Sequence, residues 1–462
     1  MPLTNAVQKE RSVVISYQLV LERGSFAAQG VLWALHPGEE KKVNYLMESE
    51  AKASPRMLKF GMPMTANVWR NARIDVGASC LFSLFNVVLN QFYVAFAIQQ
   101  GASNFQVGLL SAAPAVGLLF SPFWATWIEK ANNPRPFVII PNAIGRLLLL
   151  LPALFANPSV YVAAALAFQL LMGIQAPAYA ALISRMYPAD LRGRLMGYVR
   201  MAMGVIMIPL AYFVGSWSDA FGPSGPLIAA SLAGMLSIGL FNTLKLPKQT
   251  AEVKPAALKK GSRFPLQEQW KLIKENRTLA VFLAATTFAG FGNMLANPLY
   301  QIIQVDVLEL SNVQIGYARV AYFTALLLTF WIAGWMIDRI HIKYTLLCGI
   351  AAYAVVPMLY GIWGSYAAVI TGNAIQGIGE AIWDIGILAF VFRLAPGREA
   401  MVFGLHLMLF GFRGTLGPLL SASLSTSVSL SVLLIIASIC GWIGTLLFLS
   451  GNWKRRRLTP QS

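Results

Sequence analysis

Residues 103–108 read SNFQVG and residues 311–316 read SNVQIG, so one hexapeptide motif occurs twice at an offset of 208 positions. Three further landmarks recur in the same order at an offset of 208 or 209. They are ATWIEK at 125–130 with GWMIDR at 334–339, RMYP at 185–188 with RLAP at 393–396, and Pro209 with Pro418. One hexapeptide match could arise by chance, whereas four ordered matches indicate that the chain consists of two homologous halves.

The composition is that of a chain embedded in lipid. Hydrophobic residues make up 57% of the sequence and charged residues 12%, whereas a soluble domain has about 25% charged residues. Apolar runs repeatedly reach the roughly 20 residues that cross a bilayer as a helix. We predict an all-α membrane protein with twelve transmembrane helices in two pseudo-symmetric six-helix halves, at 74–99, 105–127, 137–156, 159–184, 195–217, 224–245, 278–302, 312–336, 343–363, 366–392, 401–424 and 427–450.

The distribution of basic residues predicts the orientation of these spans. Lysine and arginine cluster in the connections after even-numbered spans, and the connections after odd-numbered spans contain neither. By the positive-inside rule, both termini are expected in the cytoplasm of a multi-pass protein of the bacterial cytoplasmic membrane. The net charge of +17 is therefore interpreted as a topology signal, and no nucleic-acid partner is expected.

The polar segments divide the chain into five parts. We expect residues 1–70 to be a poorly ordered cytoplasmic extension, 71–245 and 278–450 to be the two halves, and 451–462 to be a basic cytoplasmic tail. Residues 246–277 form the one long polar interior stretch and are predicted to be a solvated cytoplasmic linker. An alternative for its QEQWKLIKEN portion is a short amphipathic helix on the membrane surface.

Two connections carry a family resemblance. GWMIDRIHIK at 334–343 resembles the loop signature G-x-x-x-D-R-x-G-R-K of the major facilitator superfamily (MFS), and YPADLRGRLMG at 187–197 resembles a second basic loop of that superfamily. The copy in the first half is degenerate, since Ala125 replaces the glycine and Glu129 the aspartate. The resemblance covers about residues 70–450. It implies the MFS fold and a secondary transporter whose two halves rock about a central site.

The repeated loop also predicts gating residues. Each copy ends in an acid followed by a base, namely Glu129 with Lys130 and Asp338 with Arg339. Such charges can hold the cytoplasmic face closed and release it when the halves move apart. The alternative is that they only anchor helix ends at the membrane surface. Their occurrence in both halves favours gating.

Polar residues inside the spans predict a central cavity. They follow helical spacing in the first, fourth, seventh and tenth spans, which the MFS resemblance implies are the helices lining the cavity. The alternative is that these amides only join helices to one another. The predicted substrate-binding residues are Asn86, Asn90, Gln169, Asn293, Asn297, Tyr300, Gln301, Asn373, Gln376, Trp383 and Arg413.

Two acids in the tenth span are the strongest functional signal. A charge at the centre of a bilayer costs roughly 2.5–3.5 kcal/mol on insertion scales, yet Glu380 and Asp384 lie one helical turn apart in an apolar segment. We predict that they couple transport to protons. The alternative is a static ion pair with a buried base, for which Arg413 and Arg319 are candidates. Other embedded bases, including Arg200, are expected to reach the cytoplasmic interface.

These features favour a transporter over an enzyme. The sequence contains no phosphate-binding loop and no metalloprotease motif, and its three cysteines lie singly in apolar runs. We expect no cofactor and no metal. The expected partners are the lipid bilayer, protons and a small-molecule substrate, and the expected functional form is a monomer.

The leading functional hypothesis is proton-coupled export of a small amphipathic or cationic molecule. Gly417-Pro418 resembles the glycine–proline motif of antiporters, although it lies in the eleventh span instead of the fifth. The alternatives are proton-coupled uptake of a metabolite and a membrane sensor that does not transport.

Overall fold

The computed structural model of the protein describes residues 56–120, 124, 128, 133–245, 273–274, 276–339, 342–394 and 399–451. The chain separates into two compact units, Met1–Trp69 and Arg70–Ser462. The predicted linker at 246–277 and the predicted tail at 451–462 lie almost entirely outside the described residues.

The first unit contains a β-hairpin. Strand β1 (Arg56–Lys59) pairs antiparallel with β2 (Met62–Thr65), and the two-residue turn between them has positive φ at both Phe60 and Gly61. Two positive φ values match the twist of a tight hairpin, and glycine adopts one of them without steric cost. Residues 56–65 thus form a hairpin, and the expectation that residues 1–70 are a poorly ordered cytoplasmic extension stays a prediction. Residues 1–55 lie outside the described part of the chain.

Among the described residues, twelve helical segments follow in the order of the predicted spans. They are α1 (Ala66–Gln99), α2 (Asn104–Leu119), α3 (Arg135–Leu154), α4 (Pro158–Met186), α5 (Ala189–Phe221), α6 (Ser224–Phe241), α7 (Arg277–Val307), α8 (Asn312–Arg339), α9 (Ile342–Trp363), α10 (Tyr366–Leu394), α11 (Glu399–Leu424) and α12 (Leu430–Ser450). Most ends agree with the predicted ends to within a few residues. The helices α1 and α5 begin at least six residues earlier than predicted, because hydropathy detects only the apolar part of a helix.

Ten of these helices, as far as they are described, are long and apolar enough to cross a membrane. The other two are α2, with 16 described residues, and α10, whose 29 residues include the polar positions of the predicted cavity. The protein is thus a multi-pass α-helical membrane protein.

The repeated motif begins the second helix of each half. Ser103 and Gln106 form a capping box at the start of α2. Ser311 and Gln314 form the same pair of bonds at the start of α8, with distances of 2.9 and 3.2 Å. A capping box satisfies backbone N–H groups that a helix start leaves unpaired. The serine and glutamine of the motif therefore have the same structural role in both halves.

The asparagine and glycine of the motif bring the halves together. Asn104 donates to Ser425 Oγ at 2.8 Å, and Asn312 accepts from Gln99 Nε2 at 3.0 Å. Gly108 packs so closely on α11 that a Cβ there would lie 2.4 Å from the Ala422 Cβ. The equivalent Gly316 packs against the backbone of α5, where a Cβ would lie 2.7 Å from the Ala211 oxygen. Glycine allows such close helix contacts in membranes.

These contacts lie at one end of the bundle, which we call the neutral end. It contains the connections 100–103, 155–157, 222–223, 308–311, 364–365 and 425–429, none of which carries lysine or arginine. The opposite, basic end contains the connections rich in lysine and arginine. The contacts between the two halves thus hold the neutral end together.

Candidate substrate cavity

A cavity of about 480 Å³ lies between the halves, which is the size of a site for a small molecule. The helices α1, α2 and α4 line it on one side and α7 to α10 on the other. Its polar lining residues are Asn86, Asn90, Gln91, Tyr93, Ser111, Gln169, Asn297, Tyr300, Gln301, Gln304, Arg319, Tyr322, Tyr360, Gln376 and Glu380.

Eight of the predicted site residues line this cavity. They come from all four helices that were expected to form it, and they are Asn86, Asn90, Gln169, Asn297, Tyr300, Gln301, Gln376 and Glu380. Five others do not line it, namely Asn293, Asn373, Trp383, Asp384 and Arg413. The predicted helices therefore meet at one site, although not every polar residue on them faces it.

Trp383 and Arg413 are packed inside the second half. The indole of Trp383 lies 5.5 Å from the His406 ring and 6.3 Å from the Tyr353 ring. Arg413 is buried and donates to the backbone oxygen of Thr286 at 2.5 Å, so it joins α11 to α7. Their assignment to substrate binding is not supported by this placement, because helical spacing does not say which neighbour a given face meets.

The acids Glu380 and Asp384 have different surroundings. Glu380 accepts a hydrogen bond from Tyr322 Oη at 2.7 Å and lines the cavity. Asp384 lies one turn nearer the basic end and faces Arg200 of the other half, with 3.5 Å between nitrogen and oxygen. Neither Arg413 nor Arg319 pairs with an acid among the described residues. Arg200, expected to extend to the membrane interface, instead bridges the halves.

Arg319, a candidate partner for the acids, lies instead in the cavity wall. Its guanidinium donates to the side-chain oxygens of Asn373 at 2.5 Å and Gln304 at 3.4 Å. The amide nitrogens of both residues donate to Tyr360 Oη, at 3.1 and 3.0 Å. Sequence reasoning did not assign Arg319, Tyr322 or Tyr360 to the site, because the family resemblance implies cavity lining by the first, fourth, seventh and tenth spans only.

The predicted gate residues are not placed by the structure. Glu129 and Lys130 lie outside the described residues, and the side chains of Asp338 and Arg339 are not among those described. The gating roles of these four residues therefore stay predictions.

A different acid closes the neutral end. Asp219, near the end of α5, accepts hydrogen bonds from the backbone N–H groups of Asn312 and Val313, at 2.8 and 2.9 Å. The first N–H groups of a helix have no partner within the helix and favour a negative charge. A carboxylate from one half thus caps a helix of the other half. A helix predicted to begin at residue 312 has unpaired N–H groups at its start. This was the sequence signal that could have indicated an acceptor such as Asp219.

One similar protein of known function is an exporter. A tetracenomycin C resistance and export protein of Streptomyces glaucescens is 30% identical over 133 residues, which is 28% of this chain and 24% of that protein. The match therefore spans about a quarter of the length of that relative.

Solved transporters share the fold at low sequence identity. The nucleoside transporter NupG superposes with a TM-score of 0.63 and 14% identity over 83% of this chain and 99% of its own. A POT family transporter, solved with a thioalcohol-conjugated peptide, gives 0.65 and 14% over 86% and 97%. A bacterial homologue of the human lysosomal transporter Spinster, inward-facing and unoccupied, gives 0.58 and 14% over 84% and 98%.

The family model agrees with the fold and with the motif resemblance. The model of the Major Facilitator Superfamily matches residues 76–291 and 282–461, one copy for each half. These two matches cover most of the chain, and together with the shared fold they establish that this protein belongs to the Major Facilitator Superfamily.

Proposed function

We propose that this protein is a secondary active transporter that exports a small molecule in exchange for protons by alternating access. The observation that carries the proposal is the cavity between the halves, which contains Glu380 and is bounded at the neutral end by bonds that join the halves. A site between two halves that rock about it is the plan of this transporter class. We place the protein in the bacterial cytoplasmic membrane, as a monomer with both termini in the cytoplasm.

Glu380 is the proposed proton site. It lies near the middle of a membrane helix, where an ionised carboxylate is costly unless it is protonated, paired or hydrated. Among the described residues it receives one hydroxyl bond, from Tyr322, and the other titratable groups facing it are Tyr353 on α9 and Asp384 on its own helix. Because Glu380 faces the same cavity as the ligand, proton uptake and ligand release can be linked there.

Asp384 and Arg200 are proposed to act in the movement of the halves. Their side chains are 42% and 64% exposed at the side of the cavity nearest the basic end. By the positive-inside rule the basic end faces the cytoplasm, so the neutral end would face outward. The bonds between the halves make the neutral end the closed end in this state. The distance between the Arg200 and Asp384 side chains would then shorten when the cytoplasmic side of the protein closes.

Export is favoured by the relative that is named for tetracenomycin C resistance and export. The similarity of the nucleoside and POT family transporters is one of fold and does not favour a direction. Uptake of a metabolite remains the alternative direction, and a sensor would bind a ligand without moving it.

The proposal is tested by a ligand screen followed by flux measurement. Purified protein would be screened by thermal shift against tetracenomycin C, nucleosides, short peptides and other metabolites. We expect a ligand that stabilises the protein and that is accumulated in proteoliposomes when a pH gradient is imposed. A ligand that binds and yet moves under neither a pH gradient nor its own gradient would instead indicate a sensor.

The ion pair between the halves gives a second prediction. Because both partners are exposed, we expect it to contribute less than about 1 kcal/mol, which corresponds to about a fivefold change in rate at most. Asp384→Asn should slow initial flux of the identified ligand within that limit. Asp384→Arg should slow it further, because it places two arginines side by side, and adding Arg200→Asp should restore it. Failure of the double variant to recover would contradict a direct pairing of the two residues during transport.

A further inference from the structure

We infer that the part of the cavity around Arg319 and Tyr300 binds the ionised acid group of an organic anion. The inference rests on the proposed function and names the substrate class of the same site. In place of the expected amphipathic or cationic molecule, it names a substrate that carries a carboxylate or a comparably acidic oxygen.

The first step is the charge of Arg319. Its side chain is 6% exposed and lines the cavity, and a guanidinium stays charged in proteins. The groups that accept its hydrogen bonds are neutral amide oxygens, and its Nε has no acceptor among the described residues. Arg319 forms no ion pair with a described acid, and Asp384, one turn from Glu380, pairs with Arg200. A buried cation held only by neutral groups favours an anionic ligand.

The second step is the orientation of the two amides. Gln304 and Asn373 both donate their side-chain nitrogens to Tyr360 Oη, which leaves their oxygens directed at Arg319. Three residues from α7, α9 and α10 thus hold the guanidinium in one position without neutralising it. Such positioning favours recognition of a planar oxyanion, because the guanidinium presents its N–H groups in a fixed geometry.

The third step is an independent donor. Tyr300 is 5% exposed, lines the cavity, and has a hydroxyl with no partner among the described residues. It precedes Gln304 by one helical turn, so the two share a face of α7, and its ring lies 4.6 Å from the Tyr360 ring. A buried hydroxyl without a partner is unfavourable unless a ligand accepts its hydrogen bond. Arg319 and Tyr300 line the same cavity and adjoin the same neighbour, Tyr360. The inferred site uses both of them as donors to the acid group.

The distance between Arg319 and Glu380 sets the length of a ligand that could reach both. Asn373, which binds Arg319, precedes Glu380 by seven residues on α10, which is about 10 Å along the helix axis. An acid group at Arg319 thus lies two turns from Glu380. A ligand about 10 Å long would place its acid group near the neutral end and its other end beside the proton site.

Binding at equilibrium tests the inference without any transport step. The probes are pairs of an aromatic carboxylate and its uncharged amide, namely benzoate with benzamide and 2-naphthoate with 2-naphthamide, measured by calorimetry on the full-length protein in detergent. We expect at least one carboxylate to bind about 10-fold more tightly than its amide. Equal binding within each pair, or no binding of any carboxylate, would overturn the inference.

Two variants connect that preference to the proposed residues. Tyr300→Phe removes a hydroxyl that bonds no described protein group, so it should leave thermal stability unchanged and weaken carboxylate binding by about 10-fold. Arg319→Lys should also reduce the preference for carboxylate over amide, because lysine lacks the planar fork. A preference that persists in Tyr300→Phe and in Arg319→Lys would place the anion elsewhere. Since no gradient is involved, loss of transport alone would contradict the proposed function and not this subsite.

Discussion

Replacing Glu380 with glutamine is expected to reduce pH-driven flux of the ligand identified by the screen by about 100-fold, to the level of empty liposomes. Glutamine is nearly isosteric and its carbonyl oxygen can still accept the bond from Tyr322 Oη that glutamate accepts at 2.7 Å. The variant should therefore fold normally. It can neither bind nor release a proton, so ligand movement can no longer be driven by a pH gradient.

Exchange of labelled for unlabelled ligand distinguishes lost coupling from lost binding. In Glu380→Gln we expect exchange at close to the wild-type rate and without dependence on pH, because exchange needs the movement of the halves but no net proton transfer. The matched control is Asp384→Asn, one turn away on the same helix. We expect it to retain pH-driven flux to within about fivefold, since its exposed ion pair is weak. Unchanged pH-driven flux in Glu380→Gln would show that Glu380 does not couple transport to protons.

A cross-link between the halves at the neutral end is expected to stop transport. Asn104 and Ser425 lie in different halves, and their side chains are 2.8 Å apart. With both replaced by cysteine, in a chain whose Cys80, Cys348 and Cys440 are replaced by alanine, a short thiol cross-linker should reduce flux by about 10-fold or more. The reason is that alternating access requires this end to separate. A reducible cross-linker should restore flux when it is cleaved.

A second cysteine pair at the same end serves as a control. Gln106 and Ser159 also contact each other, at 3.3 Å, but both belong to the first half. Cross-linking them should leave flux unchanged, because it does not join the moving parts. If the pair between the halves reacts fully and transport continues, the neutral end does not open and the alternating-access proposal is wrong.

Much of the fold could be predicted because it depends on local properties of the sequence. Apolar length determines where a helix crosses a bilayer, and the 208-residue offset reveals the duplication. The polar stripes of the first, fourth, seventh and tenth spans correctly indicated helices that meet at the cavity, since residues three or four apart share a helix face. The motif containing Ser103 and Ser311 also has the same capping role in each half.

The assigned residues that do not line the cavity were misplaced by contacts between helices. Arg413 and Arg319 look alike in sequence, each a single arginine in an apolar span, yet Arg413 is packed against α7 and Arg319 lines the cavity. Hydropathy treats both simply as embedded charges. Which of them can meet a ligand depends on the rotation of each helix and on the neighbour it packs against.

The sequence by itself thus determined the membrane helices, their division into two related halves and four of the helices that line the cavity, because periodicity and length are properties of a single segment. Only the tertiary structure separated Glu380 in the cavity wall from Asp384 in an ion pair with the other half. It also placed Arg319 and Tyr300 in the wall of the same cavity. These distinctions arise from the packing of one helix against another, and no single helix contains that information.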